Sequence, residues 1–382
     1  MAGGLAALGI GVNPDWERGE ITVVGCGGEI PAQQATLDCA ASGTTMRFLS
    51  AVCGLGHGHF RLDGTPRMRQ RPIGDLVAAL RMLGVDALAE SPGECPPVTI
   101  RSSGLAGGDV RVHGGTSSQF ASGLAMVAPC TRQGMRIEFE GQLVSLPYLE
   151  MTRRVMESFG ARCETVGDRG WRIESTGYEG REYAVEPDAS AASYFAAAAA
   201  ITGGEVRIEG LARRSMQGDV GFCDALARMG CDVQWDETHG AESITVRGRA
   251  GRGIDIDMNA ISDTVPTLAA VALFAQGPTT IRNVAHIRDK ETDRVGDLVR
   301  ELRKFGADIT EHGDGMTIEP AALHAARIAT YDDHRMAMAL SLPGLLVPGV
   351  LIENPSCVGK TFPDYWLRMG TLAGWPATAI SG

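Results

Sequence analysis

Leu302-Arg303-Lys304-Phe305-Gly306 ends a run of helical apolar spacing with a glycine, the residue that most readily takes the left-handed conformation closing a helix. Four other segments repeat the signature: Leu5-Ala6-Ala7-Leu8-Gly9, Leu80-Arg81-Met82-Leu83-Gly84, Val155-Met156-Glu157-Ser158-Phe159-Gly160 and Leu226-Ala227-Arg228-Met229-Gly230. The glycines are spaced by 75, 76, 70 and 76 residues. A strand, a polar turn and a second strand follow, as in Cys231-Asp232-Val233-Gln234-Trp235 and Ser243-Ile244-Thr245-Val246. Upstream of each hairpin an Ala- or Gly-rich helix recurs, predicted over 43–53, 117–127, 190–201, 265–274 and 333–346. A period of this size implies repeated supersecondary units packed on one another. Counted backwards, the first unit starts about sixty residues before Met1, so the sequence is expected to hold the last third of one unit, four full units and a final partial one.

At 382 residues the chain is long for a single core, which predicts two domains. With 44% hydrophobic and 21% charged residues it reads as a soluble globular protein, and its 50 glycines suit many tight turns. A net charge of −11 argues against general nucleic-acid or anionic-membrane binding, so cations for an anionic substrate must be concentrated locally. Nine scattered cysteines without a C-x-x-C pair predict reduced thiols, not a disulfide framework or zinc site. The opening Met1-Ala2-Gly3-Gly4-Leu5 lacks the basic start of a signal peptide, and apolar runs such as 195–201 are too short to span a bilayer. A cytoplasmic location is expected.

Charge is concentrated in a few loops. Arg288-Asp289-Lys290-Glu291-Thr292-Asp293-Arg294 carries three cations and three anions between a strand-like run at 279–284 and a helix through 297–302. With a helix start near Asp293, Lys290, Glu291 and Arg294 lie at a strand-to-helix junction, where small anions are often held. A solvated ion-pair run is the bland alternative. Arg67-Met68-Arg69-Gln70-Arg71-Pro72 offers arginine forks suited to carboxylate or phosphate, with Pro72 placed in a first helical turn; a basic surface turn is the alternative. Gly114-Gly115-Thr116-Ser117-Ser118-Gln119-Phe120 combines hydroxyls with a helix start, which suits phosphate or ordinary capping. Tyr331-Asp332-Asp333-His334-Arg335 opens a small-residue helix, where the adjacent cation disfavours a metal site. Asp263, before Thr264-Val265-Pro266, is predicted to be a helix N-cap with a second role. No Walker loop, nucleophile elbow or dinucleotide fingerprint occurs.

Together these stretches resemble the 5-enolpyruvylshikimate-3-phosphate synthase family, the 3-phosphoshikimate 1-carboxyvinyltransferases. The resemblance rests on Ser42-Gly43-Thr44-Thr45-Met46-Arg47, Pro66-Arg67-Met68-Arg69-Gln70-Arg71-Pro72-Ile73-Gly74, Ser117-Ser118-Gln119-Phe120 and Ser145-Leu146-Pro147-Tyr148. It continues through Asp188-Ala189-Ser190, Ser215-Met216-Gln217-Gly218-Asp219, Lys290-Glu291-Thr292-Asp293-Arg294, Asp333-His334-Arg335-Met336-Ala337-Met338 and Lys360-Thr361-Phe362-Pro363-Asp364-Tyr365. It implies an α/β (α+β) enolpyruvyl transferase fold of two domains, 1–185 and 186–382, built of βαβαββ units and closing on substrates in a cleft. The implied reaction joins shikimate 3-phosphate to phosphoenolpyruvate and expels phosphate, without metal or organic cofactor, in a monomer that binds neither nucleic acid nor membrane. Ser117, Ser118, Gln119, Ser145, Tyr148, Asp263, His286 and Lys290 would hold shikimate 3-phosphate. Gly43, Arg67, Gln119, Arg294, Arg335 and Lys360 would hold phosphoenolpyruvate, in a site that the resemblance also opens to glyphosate. Asp263, Glu291 and Lys360 would serve catalysis, the first at the attacking hydroxyl and Glu291 at the methylene carbon.

The sequence departs from the family pattern in two places. His286 stands where the family usually has asparagine, and the family's opening Pro-Gly-Ser-Lys-Ser motif with a following arginine does not occur. The second departure matches the repeat count and leads to an expectation of impaired catalysis. The first keeps open an enolpyruvyl transferase acting on another phosphorylated alcohol.

Overall fold

A computed structural model describes residues 1–374 apart from 116, 142 and 168. The chain divides into two compact units, Met1–Tyr183 and Ala184–Gly382.

In the first unit α1 (Ala2–Ala7) leads into an antiparallel pair, β1 (Gly11–Asp15) and β2 (Glu20–Val24). Next come β3 (Gln34–Asp38), α2 (Gly43–Leu55), β4 (His57–Asp63), α3 (Gly74–Met82), β5 (Asp86–Ser91) and β6 (Cys95–Ser103). They form a four-stranded sheet ordered β3-β4-β6-β5, in which β3 and β4 are parallel and the other pairs antiparallel. The pattern returns in β7 (Gly108–His113), α4 (Ser118–Val127), β8 (Met135–Glu140), α5 (Leu146–Ser158), β9 (Cys163–Thr165) and β10 (Gly170–Ile173), ordered β7-β8-β10-β9.

The second unit begins with α6 (Ala189–Thr202), β11 (Glu205–Glu209), α7 (Phe222–Arg228), β12 (Asp232–Asp236) and β13 (Ser243–Arg247), in a sheet ordered β11-β13-β12. Then β14 (Asp255–Asp257), α8 (Val265–Ala272), β15 (Thr279–Arg282), α9 (Gly296–Arg303), β16 (Asp308–His312) and β17 (Gly315–Glu319) repeat the four-stranded order β14-β15-β17-β16. The described part closes with β18 (Arg327–Ile328), α10 (His334–Ser341), the parallel partner β19 (Leu351–Ile352) and α11 (Tyr365–Ala373).

The repeat expected from the glycine spacing is therefore present as a structural unit. Gly9, Gly84, Gly160, Gly230 and Gly306 all take positive φ, between +83° and +111°, just past a helix. Each closes a helix whose apolar stripe faces a sheet; Leu226, Leu302 and Phe305 are fully buried. Burying one such side chain contributes roughly 1.5–3 kcal/mol. The small-residue helices line each core. α6 is buried along Ala196–Ile201, where methyl groups allow close approach to α8. No helix among the described residues is long and apolar enough to cross a membrane.

Three local expectations need correction. The helix after the charged stretch starts at Gly296, not near Asp293, because the Asp293 carboxylate takes the N–H groups of Val295 and Gly296 (3.1 and 2.9 Å) in a turn before the helix. Pro72 precedes the first turn of α3, whose N-cap is Ile73. Asp263 does not cap α8: Thr264 holds the cap position without a side-chain bond, and the Asp263 oxygens point to cations instead.

Candidate active site

In the first unit the N-termini of α2 and α4 meet. Ser42 caps α2 by accepting from Thr45 N (3.2 Å), and Ser117 caps α4 by accepting from Gln119 N (3.3 Å). Gln119 joins the two helices: its Oε1 accepts from Arg47 Nη1 (2.7 Å) and its Nε2 donates to Thr44 Oγ1 (3.1 Å). Ser117 and Ser118 are both buried beside this bridge. Thr116, part of the same expected loop, lies outside the described residues. Ser145 adopts φ 56°, ψ 44° immediately before α5, a left-handed conformation costly for a serine, and Tyr148 N bonds its carbonyl (3.1 Å). α5 packs on α4 through Ser122 and Thr152 (2.8 Å).

The three arginines of the 67–71 loop separate. Arg69 is exposed and pairs with Asp63 (2.7 Å), whereas Arg67 is half-buried with Nη1 3.4 Å from Gln70. Arg71 is buried against Gly43, where a methyl group would stand 2.6 Å from its Nη2. Neither buried Arg47 nor buried Arg71 is among the residues the resemblance assigns to a ligand, although Arg71 belongs to the arginine loop read as a candidate anion site. A hint lay in Arg47, a cation on the apolar face of a helix.

In the second unit one buried guanidinium organises the charge. Arg294 is 1% exposed. Its Nε and Nη2 donate to the two oxygens of Asp333 (2.7 and 3.1 Å), Nη2 also to Glu291 Oε2 (2.7 Å), and Nη1 to Asp263 Oδ1 (3.2 Å). Arg335 Nη2 donates to Asp263 Oδ2 (2.9 Å), Lys290 Nζ stands 3.9 Å from Asp263, and Lys360 Nζ donates to Glu291 Oε1 (2.5 Å). Four cations thus surround three carboxylates, a local positive excess in an acidic chain. Of the charged stretch only Lys290, Glu291 and Arg294 enter this cluster. Arg288 pairs with Asp293 and Glu311 (2.9 and 2.8 Å), the surface arrangement of the bland reading. Asp333, which the sequence reading gave no site role, is fully buried and also caps α10 by accepting from Arg335 N (2.8 Å).

Burial pushes the Asp263 carboxyl up, but Arg335, Lys290 and Arg294 outweigh it and hold the group well below the usual carboxylate range, against Glu291. Burial likewise lowers the Arg294 pKa, and Asp333, Glu291 and Asp263 more than restore it. The arrangement can therefore keep Asp263 ionised in a half-buried, strongly cationic setting, suited to binding a compact polyanion and moving protons beside it.

Burial, aided by Lys290 and opposed by Asp263, lowers the His286 imidazole to about 4. Burial lowers His334 to about 3, with Asp333 opposing and Arg294 and Arg335 aiding. An unfolded histidine titrates near about 6.5, so below that pH the unfolded chain binds the extra protons. The stability these neutral rings contribute is complete above about pH 6.5 and is lost as pH falls toward 4. His286→Asn should flatten the fall of Tm between about pH 6.5 and 4.5; a slope equal to the parent's would remove His286 as a source.

Solved structures share this fold. EPSP synthase from Acinetobacter baumannii superposes with TM-score 0.76 at 24% identity, covering 96% of this chain and 85% of that one. The enolpyruvyl transferase NikO from Streptomyces tendae gives 0.68 at 20% identity, covering 95% and 83%. In sequence, the 3-phosphoshikimate 1-carboxyvinyltransferase of Nostoc punctiforme is 47% identical over 369 residues, 95% of this chain and 85% of the relative. That of Shewanella baltica is 44% identical over 384 residues, 98% and 88%. The model of the EPSP synthase (3-phosphoshikimate 1-carboxyvinyltransferase) family matches residues 1–369. The chain belongs to that family of transferases.

Proposed function

We propose that this chain transfers the enolpyruvyl group of phosphoenolpyruvate to the 5-hydroxyl of shikimate 3-phosphate and releases inorganic phosphate. The observation that carries the reading is the Arg294-centred cluster, in a chain of this family. Phosphoenolpyruvate presents a carboxylate and a phosphate, and Arg294, Arg335 and Lys360 supply opposing charge, with Arg67, Gly43 and Gln119 assigned to the same ligand. Ser117, Ser118, Gln119, Ser145, Tyr148, His286 and Lys290 hold the phosphorylated shikimate.

Asp263 takes the proton of the attacking hydroxyl as its oxygen bonds to the central carbon of phosphoenolpyruvate. Glu291 takes a proton from the Lys360 ammonium bonded to its Oε1 and delivers it to the methylene carbon, which becomes a methyl group. In the second half that methyl returns a proton to the Glu291 carboxylate, the double bond re-forms as the carbon–oxygen bond to phosphate breaks, and phosphate leaves. The two domains are 1–185 and 186–382, and the protein works as a cytoplasmic monomer without nucleic acid. Glyphosate should inhibit it competitively with phosphoenolpyruvate; turnover indifferent to glyphosate would oppose the assigned pocket.

The direct test is phosphate release from the two substrates together and from neither alone. Changing Ser117 and Ser118 to alanine should weaken shikimate 3-phosphate by roughly 1.5–3 kcal/mol per lost charge-assisted bond. Phosphoenolpyruvate should be affected less. Calorimetry showing unchanged affinity for the first ligand would sink that placement.

A further inference from the structure

We propose that Tyr331 is a positioning residue whose hydroxyl latches the turn carrying Asp333 and Arg335 onto α9, and so fixes the geometry of the cationic cluster. The inference rests on the proposed function for the substrate it affects.

Asp333 N donates to Thr330 O (2.8 Å), closing a four-residue turn. Its two central residues, Tyr331 and Asp332, have φ of 55° and 56°. Such turns normally use glycine, asparagine or aspartate, and a bulky tyrosine there is strained. The surroundings must hold it. Tyr331 Oη donates to Glu301 Oε1 (2.7 Å) and accepts from Arg300 Nη1 (3.3 Å). Glu301 is fully buried on α9, and its other oxygen accepts from Ala329 N (2.9 Å) and Lys304 Nζ (2.6 Å). One carboxylate therefore grips the chain on both sides of Thr330. Across the turn, Asp332 Oδ1 accepts from Asn354 Nδ2.

The same helix also secures the other loop of the cluster. Thr292, between Glu291 and Arg294, donates to Asp297 Oδ2, and Asp297 Oδ1 accepts from Arg300 Nη1. A continuous path of hydrogen bonds then runs Thr292–Asp297–Arg300–Tyr331–Glu301. The two loops meet again inside the unit at Arg294 and Asp333. Because Asp333 binds both the Arg294 side chain and Arg335 N, a displacement of the turn moves both arginines' anchor together. No atom of Tyr331 need touch substrate for this effect.

The test is Tyr331→Phe, with phosphate release measured as each substrate is varied and amide hydrogen exchange followed over residues 329–337. The expected result is a KM for phosphoenolpyruvate raised about three- to tenfold, with KM for shikimate 3-phosphate and kcat nearly unchanged. Exchange of the Asp333–Ala337 amides should speed up by a similar factor. Tyr331→Gly, which suits positive φ but lacks the hydroxyl, should share the KM rise even if its Tm does not fall. Parent-like exchange over 329–337 in Tyr331→Phe overturns the latch, and so does an equal rise in both KM values accompanied by a general loss of Tm. A parent protein that releases no phosphate refutes the proposed function instead, and the exchange result alone then decides the latch.

Discussion

Arg294→Met is expected to lower unfolding stability by roughly 3–5 kcal/mol and to abolish measurable turnover. The side chain is 2% exposed and bonds three carboxylates, of which Asp333 is fully buried. Methionine fills similar volume, so the loss reflects charge and hydrogen bonding more than a cavity. With the guanidinium gone, Asp333, Glu291 and Asp263 would repel one another in a setting that water reaches only at Asp263 and Glu291. They could relax only by taking up protons or by opening the loop. For a unit of this size the Tm should drop on the order of 10 °C. Arg294→Lys separates charge from shape: one ammonium cannot repeat the fork that spans Asp333, Glu291 and Asp263, so much of the stability should return without the activity. Thermal melts of the three proteins at neutral pH read this directly. A methionine variant as stable as the parent would mean that the cluster is held by its neighbours and not by Arg294.

Why the repeat was legible and the cluster only partly so has a physical basis. A glycine cap, a helical apolar stripe and a hairpin are set within about ten residues of chain, so each leaves its mark locally. The cluster is built from pairs far apart in sequence. Asp263 bonds Arg294 and Arg335 across 31 and 72 residues, and Arg294 bonds Asp333 across 39; in the first unit, separately, Arg47 bonds Gln119 across 72. Nothing in the spacing around Asp263 distinguishes a helix cap from an ion-pair partner, so the local pattern predicts a cap with a second role, and only the second role is present. Asp333 was hidden for the same reason, since beside His334 and Arg335 it reads first as a metal question. Arg288 and Asp293 show the converse. They share one charged stretch with Lys290 and Glu291, yet Arg288 turns to Asp293 and to Glu311 of β16. The family resemblance supplied the candidate roles. The geometry adds which charges hold one another and how deeply.

Glu291→Gln should lower kcat by ~10²-fold or more with a smaller change in KM, provided that Glu291 carries the proton for the methylene carbon. Its side chain is 13% exposed, with Oε2 2.7 Å from Arg294 Nη2 and Oε1 2.5 Å from Lys360 Nζ. Glutamine keeps the shape and one acceptor, but its amide cannot exchange a proton, and its NH2 turns toward a cation at one of those two contacts. A simple loss of binding would raise KM for phosphoenolpyruvate and spare kcat, so the two effects separate in steady-state kinetics. Isotope exchange separates them further. In heavy water the addition step converts the CH2 group to CH2D, and elimination of a light proton leaves deuterium in the enolpyruvyl product. Mass spectrometry of product formed by the parent should show that label, and the variant should incorporate it more slowly in proportion to its kcat. A glutamine variant that turns over at the parental rate, with the parental label, would remove Glu291 from the chemistry and leave Lys360 as the proton carrier at that carbon.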